Sequence, residues 1–203
     1  MKKLCCALFG LMLIFSLASC SEENSAKMYI NAAKLDQQEQ DMAELLKSTS
    51  ETQIYDFSLD DKINSIKIKT YQLTDGRWEI MSENESLEFT DSKGRIALQF
   101  EDISNELKVS VQGEHSNSAF SYFGEIKNDN DNMSISTSAL TDTEKISYEK
   151  EIPLAVQIIT SKDEVNSYDP SYFFKPDEYE KYGYEHVYAV TVTFIKGADY
   201  LVR

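Results

Sequence analysis

Two histidines, His115 and His186, are the only candidates for the imidazole base that most nucleophilic or zinc-dependent enzymes use. They are 71 residues apart, and neither lies in a Gly-x-Ser-x-Gly or His-Glu-x-x-His motif or near a cysteine nucleophile. His115 belongs to a polar loop and His186 directly precedes an apolar strand, which are ordinary positions for a histidine. The sequence therefore indicates no catalytic residue and no metal site, and we predict that the protein is not an enzyme.

Carboxylates are the other groups that could do chemistry, since the chain contains 35 Asp and Glu residues. The stretch 129–132 offers oxygen ligands, but the glycine and the closing glutamate of a calcium loop are missing, so a plain turn is predicted. Two carboxylates could hydrolyse a glycosidic bond only if they flanked a cleft at a set separation, which sequence does not show. We predict no cofactor, and a carboxylate-dependent hydrolase acting on cell-wall or extracellular polymer stays as an alternative.

The most unusual stretch runs from Tyr168 to Tyr188, where eight aromatic residues occur within 21 positions. Tyrosine joins a flat apolar face to a polar tip, which suits loops that bind sugars or proteins. Pro170, Pro176 and Gly183 interrupt the stretch, so we predict a loop with a short helical turn. The candidate ligand-binding residues are Tyr168, Tyr172, Phe173, Phe174, Tyr179, Tyr182 and Tyr184. The alternative is that the loop folds back and its rings plug one end of the domain.

Nearly everything after residue 50 has the period of β-strands, with turn signals about every ten residues. This pattern predicts an all-β fold, a single antiparallel β-sandwich of Ig-like or jelly-roll type over residues 51–203. Asp75-Gly76 is the strongest hairpin signal because both positions of a type I′ turn need positive φ. The cross-strand pairs that follow are Leu73 with Trp78 and Tyr71 with Ile80.

Three further expectations concern the strands. Ile66 and Ile68 have the opposite parity to Tyr71, so a β-bulge that switches faces is predicted near residues 69–70. A second hairpin is predicted in which Phe89 pairs with Ile96. The final strand, residues 187–195, is almost continuous in β-branched and aromatic residues, which favours a place in the middle of a sheet.

A short amphipathic helix is predicted before the sandwich, over residues 31–47. Its apolar residues fall near one stripe, with charged and amide side chains elsewhere: Ala32, Leu35, Met42, Leu45 and Leu46. Such a helix serves as a stalk or a partner-binding element, or covers an open end or face of the sheet that follows.

The N-terminus has the layout of a secretory leader, with Lys2 and Lys3 ahead of an apolar run of 14 residues. That run is shorter than the roughly 20 residues of a spanning helix. The segment Leu17-Ala18-Ser19-Cys20 resembles the lipobox of bacterial lipoproteins, and the domain after it resembles β-rich lipoproteins to which no chemistry is assigned. The lipobox resemblance implies that residues 1–19 are a signal peptide and that Cys20 carries a diacylglyceryl anchor with acyl chains such as palmitate. Residues 20–50 are then the lipidated tether with the short helix.

Localisation follows from the same resemblance. The protein is expected outside the cytoplasm, anchored by the Cys20 lipid to the cell membrane of a Gram-positive organism or to the outer membrane of a Gram-negative one. Cys5 and Cys6 would leave with the leader, so no cysteine remains for a disulfide. The oligomeric state is left open by the sequence.

The formal net charge is −15, and it becomes −17 when Lys2 and Lys3 leave with the leader. Such an acidic surface repels phosphate backbones and anionic lipids, so nucleic acid is excluded as a partner and the lipid alone makes the membrane contact. The sequence thus predicts a lipid-anchored envelope protein with a non-catalytic β-sandwich that binds a protein or a glycan. A structural envelope subunit, recognisable by an unpaired edge strand or a large exposed apolar face, is a further alternative.

Overall fold

The computed structural model describes residues 28–46, 51–84, 87–124, 133–166 and 168–197, so Cys20 and the turn predicted at 129–132 lie outside the described ranges. The strands are β1 (Tyr29–Ala32), β2 (Glu51–Ser58), β3 (Ile63–Thr74), β4 (Arg77–Glu83), β5 (Leu87–Glu88), β6 (Lys93–Phe100), β7 (Glu106–Gly113), β8 (Asn117–Phe123), β9 (Ser134–Ala139), β10 (Glu144–Lys145), β11 (Glu151–Thr160) and β12 (His186–Lys196). The helices are α1 (Gln37–Leu46), a 3₁₀ helix (Pro170–Phe174) and α2 (Asp177–Glu180). Within these ranges, no helix has both the length and the hydropathy needed to cross a bilayer.

The strands form two antiparallel sheets. Sheet 1 has the spatial order β10-β1-β2-β6-β7-β8, and sheet 2 has the order β4-β3-β12-β11-β9, with β5 also pairing with β3. The predicted all-β sandwich is therefore confirmed, and β12 lies in the middle of its sheet as predicted. Because β1 pairs with β2, the sandwich extends back to Tyr29, into the range predicted to be tether and helix.

The main core lies between the two sheets. Phe57 of sheet 1 meets Phe194 of sheet 2 with ring centroids 5.5 Å apart, and the Tyr55 hydroxyl donates to the Leu154 carbonyl at 2.7 Å. Fully burying one large apolar side chain contributes about 1.5–3 kcal/mol relative to leaving it exposed. The alternating pattern predicts that every second side chain of a strand points inward, and the inward side chains of both sheets form this core.

The first predicted hairpin is confirmed in its turn and in its register. Asp75 and Gly76 have φ values of 49° and 72°, the left-handed conformation that a type I′ turn requires. The cross-strand pairs are those predicted, Leu73 with Trp78 and Tyr71 with Ile80. The hairpin joins β3 to β4 at one edge of sheet 2.

The predicted bulge is present, but its predicted role is wrong. The register shift falls between Thr70 and Tyr71, and the additional residue is Met81 on β4, while the pairing of β3 with β12 continues across this point without interruption. Strand β3 therefore does not switch faces. Ile66 and Ile68 point into the main core, whereas Tyr71 points to the outer face of sheet 2, where a second cluster buries it.

The second predicted hairpin is wrong. Strand β5 pairs with β3 in sheet 2, whereas β6 pairs with β2 and β7 in sheet 1, so the chain crosses between the sheets after Glu88. Phe89 is buried against Phe57, at 5.2 Å between ring centroids. Alternation cannot distinguish a hairpin from two strands in facing sheets, because the inner faces of both sheets point into the same core.

Helix α1 is shorter than predicted, since residues 29–32 pair with β2 and the helix begins only at Gln37. Asp36 and Glu39 form a capping box, in which each side chain accepts a hydrogen bond from the backbone N–H of the other at 2.9 and 3.0 Å. Arg95 holds the helix over the outer face of sheet 1 by donating to Glu39 at 2.5 Å and to Asp56 at 2.6 Å. Helix α1 therefore lies beside the outer face of sheet 1, although most of its described side chains remain exposed.

A candidate binding trough on the outer face of sheet 2

The aromatic stretch forms most of the connection between β11 and β12, residues 161–185, which we call the crossover segment. Its ends are tied together where Glu185 accepts hydrogen bonds from the hydroxyls of Thr160 and Ser161. These donors lower the pKa of Glu185 to about 2, with the Ser161 bond as the largest cause. Asp169 caps the 3₁₀ helix by accepting from the Ser171 N–H at 2.9 Å, and Pro170 follows the cap as the first helical residue.

The crossover segment folds back onto the outer face of sheet 2 and builds a second hydrophobic cluster there. Phe173 stacks on Trp78 of β4 at 5.0 Å between ring centroids, and the Trp78 indole N–H donates to the Phe173 carbonyl at 2.7 Å. Tyr179 is fully buried, and its ring centroid lies 4.8 Å from that of Tyr168. The same face of the sheet contributes Tyr71, Val156, Ile158, Val187 and Ala189. Strands β11 and β12 are therefore buried on both faces.

The structure divides the seven aromatic residues proposed from the sequence into three groups. Tyr168, Phe173 and Tyr179 are buried, and Tyr172 and Tyr184 pack half-buried against the same cluster. Phe174 is 61 % exposed and Tyr182 is 40 % exposed. The rings thus fold back as the alternative expected, but they cover a sheet face instead of plugging an end of the sandwich. Phe174 and Tyr184 line different cavities, so the seven do not form one surface.

The crossover segment leaves part of the outer face open, and polar side chains from three adjacent strands form a trough there. Lys67 of β3, Thr193 of β12 and Glu151 of β11 are neighbours in the strand registers. Two pairs further along, on the same face of the sheet, Lys69 lies beside Thr191. The cavity over these residues has a volume of about 550 Å³ and is lined by Lys67, Lys69, Lys150, Glu151, Thr193 and Phe174, among others.

Ion pairs hold two lysines of the trough, Lys67 and Lys69, in place. Lys67 contacts Glu83 at 2.5 Å, and Lys69 contacts Glu151 at 3.4 Å. The hydrogen bond from Lys67 lowers the pKa of Glu83. Glu151 also accepts a hydrogen bond from the Tyr71 hydroxyl, which joins the trough to the second cluster. The polar groups of the trough are therefore fixed by a packed support.

Phe174 stands between this trough and a second cavity of about 240 Å³, which we call the side cavity. The side cavity shares Lys150, Glu151 and Phe174 with the trough and adds Lys145 and Asp169, among others. Phe174 is the last residue of the 3₁₀ helix. Its ring packs edge-on against the ring of buried Phe173, with 5.3 Å between the ring centroids. The exposed ring thus rests on a buried one, which limits the conformational entropy that it loses when a ligand covers it.

The histidines do not build a catalytic arrangement. His115 Nδ1 lies 2.9 Å from Asp91 Oδ1, but the Ser116 hydroxyl also donates to Asp91, at 2.7 Å, so the serine is bonded to the acid and not to the imidazole. The group instead ties the β7–β8 turn to the residues before β6. His186 stacks on Tyr188 at 6.2 Å.

The Asp91–His115 pair predicts a window of pH in which it stabilises the fold. The hydrogen bond that His115 donates to Asp91 lowers the pKa of Asp91 to about 2 and raises the pKa of His115. Unfolded values are about 3.9 and 6.5, so the stabilisation is complete between about pH 4 and pH 6.5. It is lost below that range as Asp91 protonates and above it as His115 deprotonates. We expect His115→Gln to lower the melting temperature most within this window, in melts from pH 3 to pH 9.

The control for this pair is the same substitution in an Asp91→Asn background. There the effect of His115→Gln should no longer depend on pH, because the carboxylate that shifts the imidazole is gone. A difference in melting temperature that stayed constant from pH 3 to pH 9 in the wild-type background would contradict the assignment.

Comparisons of the chain with protein-family models, curated proteins and solved structures gave no match.

Sequence reasoning missed the trough. Lys67 and Lys69 alternate with Ile66 and Ile68, which marks them only as the solvent side of a strand. Glu151 is more than 80 positions away along the chain, and only the sheet topology makes it a neighbour of Lys69. Phe174 was among the predicted residues, but no local signal separates it from its buried neighbour Phe173.

Proposed function

We propose that the chain is an extracytoplasmic lipoprotein, anchored to the membrane through Cys20, whose β-sandwich binds a protein or glycan ligand without chemistry. The observation that carries the proposal is Phe174, an exposed ring at the end of a short 3₁₀ helix, between two adjoining cavities lined with polar side chains. Binding sites commonly combine a rigid apolar anchor with a few fixed polar groups. The trough offers both within one surface.

A hydrolase gains no support from the carboxylates. A general acid that works near neutral pH needs a raised pKa. Where the pKa of a carboxyl group is shifted among the described residues, at Glu39, Glu83, Asp91 and Glu185, it is lowered by hydrogen-bond donors. These four carboxylates have structural partners, and none of them carries the raised pKa of a general acid.

The binding proposal predicts that Phe174→Ala removes the ligand without unfolding the protein. The soluble chain from residue 21 should capture a ligand from envelope extract or on a glycan array, and Phe174→Ala should lower that capture at least about tenfold, because the ring is the exposed anchor. The matched control is Tyr182→Ala, which removes another exposed aromatic ring that does not line the trough. If Phe174→Ala and the wild-type protein captured the ligand equally, at unchanged melting temperatures, the trough would not be the binding site.

The anchor predicts a separate result for Cys20. Cys20→Ala should abolish incorporation of labelled palmitate and leave the protein unprocessed or released from the membrane fraction, because the thiol that would carry the lipid is gone and the acidic chain repels anionic lipids. Cys6→Ala is the control, since that cysteine is expected to leave with the leader. Cleaved, membrane-bound Cys20→Ala protein would refute the lipid anchor.

A further inference from the structure

We infer that the ligand of the trough is an uncharged oligosaccharide that lies across Phe174 and occupies the trough and the side cavity together. This inference rests on the proposed binding function and narrows it to one class of ligand.

The charge around the two cavities excludes a strongly anionic ligand. Lysines are prominent in the trough, but most of them face carboxylates: Lys67 pairs with Glu83, and Lys69 lies between Glu83 and Glu151. When the linings of both cavities are counted together with Glu83, four lysines face five carboxylates. A surface with this balance does not concentrate anions, and the protein as a whole carries a formal charge of −15. An acidic peptide or a uronate-rich glycan would therefore gain little from the lysines.

The same ion pairs supply what a sugar needs. Ammonium groups donate hydrogen bonds and carboxylates accept them, and a sugar hydroxyl does both. Lys69 and Glu151 place a donor and an acceptor 3.4 Å apart, and the hydroxyl of Thr193 lies between the strands that carry Lys67 and Glu151. Because these groups are already held by each other and by the Tyr71 hydroxyl, little side-chain entropy is lost on binding.

Phe174 selects for a ligand with a flat apolar face. The C–H face of a pyranose ring meets this requirement, and the polar edge of the same ring can then reach the lysines and carboxylates beside it. Phenylalanine has no polar tip, so its exposed ring offers a flat face without a hydrogen-bonding group of its own. The ring is 61 % exposed and is braced by Phe173, so most of its face is available to a ligand.

The position of Phe174 also sets the length of the ligand. It lines both the trough of about 550 Å³ and the side cavity of about 240 Å³, which share Lys150 and Glu151. A ligand that stacks on the ring from one side fills only one cavity, whereas a chain of several sugars reaches both. Affinity should therefore rise with chain length until both cavities are filled.

The test is calorimetric titration of the soluble chain from residue 21 with the oligosaccharides that a glycan array identifies. The array carries neutral hexose and pentose oligosaccharides of one to six units beside uronate-containing and sulfated chains. We expect a neutral oligosaccharide to bind, and a chain of six sugar units should bind at least about tenfold more tightly than the single sugar. Its affinity should change less than about twofold when NaCl is raised from about 50 to about 500 mM, because uncharged ligands are not screened. Phe174→Ala should abolish the heat of binding, and Phe174→Trp should retain it.

The outcomes separate this inference from the proposed function. Preference for an acidic glycan, or capture of an envelope protein alone, overturns the inference; if that capture is lost in Phe174→Ala, the binding function stands. A monosaccharide that binds as tightly as the six-unit chain overturns the assignment of two cavities to one ligand. If neither the array nor the extract yields any ligand that depends on Phe174, the inference and the proposed function both fail.

Discussion

Tyr179→Ala is expected to lower the free energy of unfolding by about 3–5 kcal/mol, the largest effect of any single truncation in the crossover segment. Tyr179 is fully buried, and its ring lies 4.8 Å from that of Tyr168 and 6.0 Å from that of Trp78. Truncation leaves a cavity between the crossover segment and sheet 2, because neighbouring elements collapse only partly around a missing ring. The measurement is equilibrium denaturation in urea, with the slope of the transition compared with that of wild type.

Two controls define the cause of this effect. Tyr182→Ala removes the same atoms from a residue that is 40 % exposed and should cost clearly less. Tyr179→Phe removes a buried hydroxyl that has no hydrogen-bond partner among the described residues, so it should be neutral or stabilise by roughly 1 kcal/mol. A large loss in Tyr179→Phe would show that the hydroxyl makes an essential bond and would contradict this assignment.

Gln157→Leu is expected to cost about 2–3 kcal/mol although it replaces a polar side chain by an apolar one in the interior. The fully buried Gln157 accepts from the Ile103 N–H at 2.9 Å and donates to the Glu101 carbonyl at 2.9 Å and to the Thr137 hydroxyl at 3.2 Å. It therefore links β11 and β9 of sheet 2 to the β6–β7 turn of sheet 1. Leucine would leave the buried Ile103 N–H without an acceptor, and an unpaired buried donor costs more than the added apolar contact restores.

The matched control for Gln157 is Gln112→Leu, the same exchange at an exposed position of β7, where a change within about 0.5 kcal/mol is expected. Urea denaturation again measures both variants. Hydrogen exchange at the Ile103 amide gives an independent reading, since that proton should lose protection in Gln157→Leu. If the Gln157→Leu and wild-type proteins were equally stable, the hydrogen bonds of the Gln157 side chain would make no net contribution to the free energy of unfolding.

The second cluster links the stability of the fold to its proposed function. Tyr71 packs in that cluster and also donates to Glu151 in the trough, while Phe173 braces Phe174. Side chains at the trough therefore rest on a packed hydrophobic layer instead of on a free loop. Most rings of the aromatic stretch therefore stabilise sheet 2, and one of them, Phe174, faces the proposed ligand site.

The sequence by itself determined those features that depend on neighbours along the chain. Asp75-Gly76 specified a type I′ turn and hence the Leu73–Trp78 pairing, because only residues that accept positive φ fit there. The continuous β-branched run of β12 specified a central strand. The predicted lipid anchor at Cys20 is of the same kind, because it is read from a contiguous motif.

Only the tertiary structure decided which sheet each strand joins and which faces are covered. Alternation specifies that a side chain points inward but not into which core, so β5 and β6 could not be assigned to different sheets. The periodicity of β3 likewise suggested a change of face, when in fact the crossover segment buries the second face of sheet 2. The trough exists because Lys69 and Glu151, distant in sequence, become neighbours across β12, and because packing buries Phe173 and leaves Phe174 exposed. Those outcomes depend on pairings between distant segments, which no local pattern encodes.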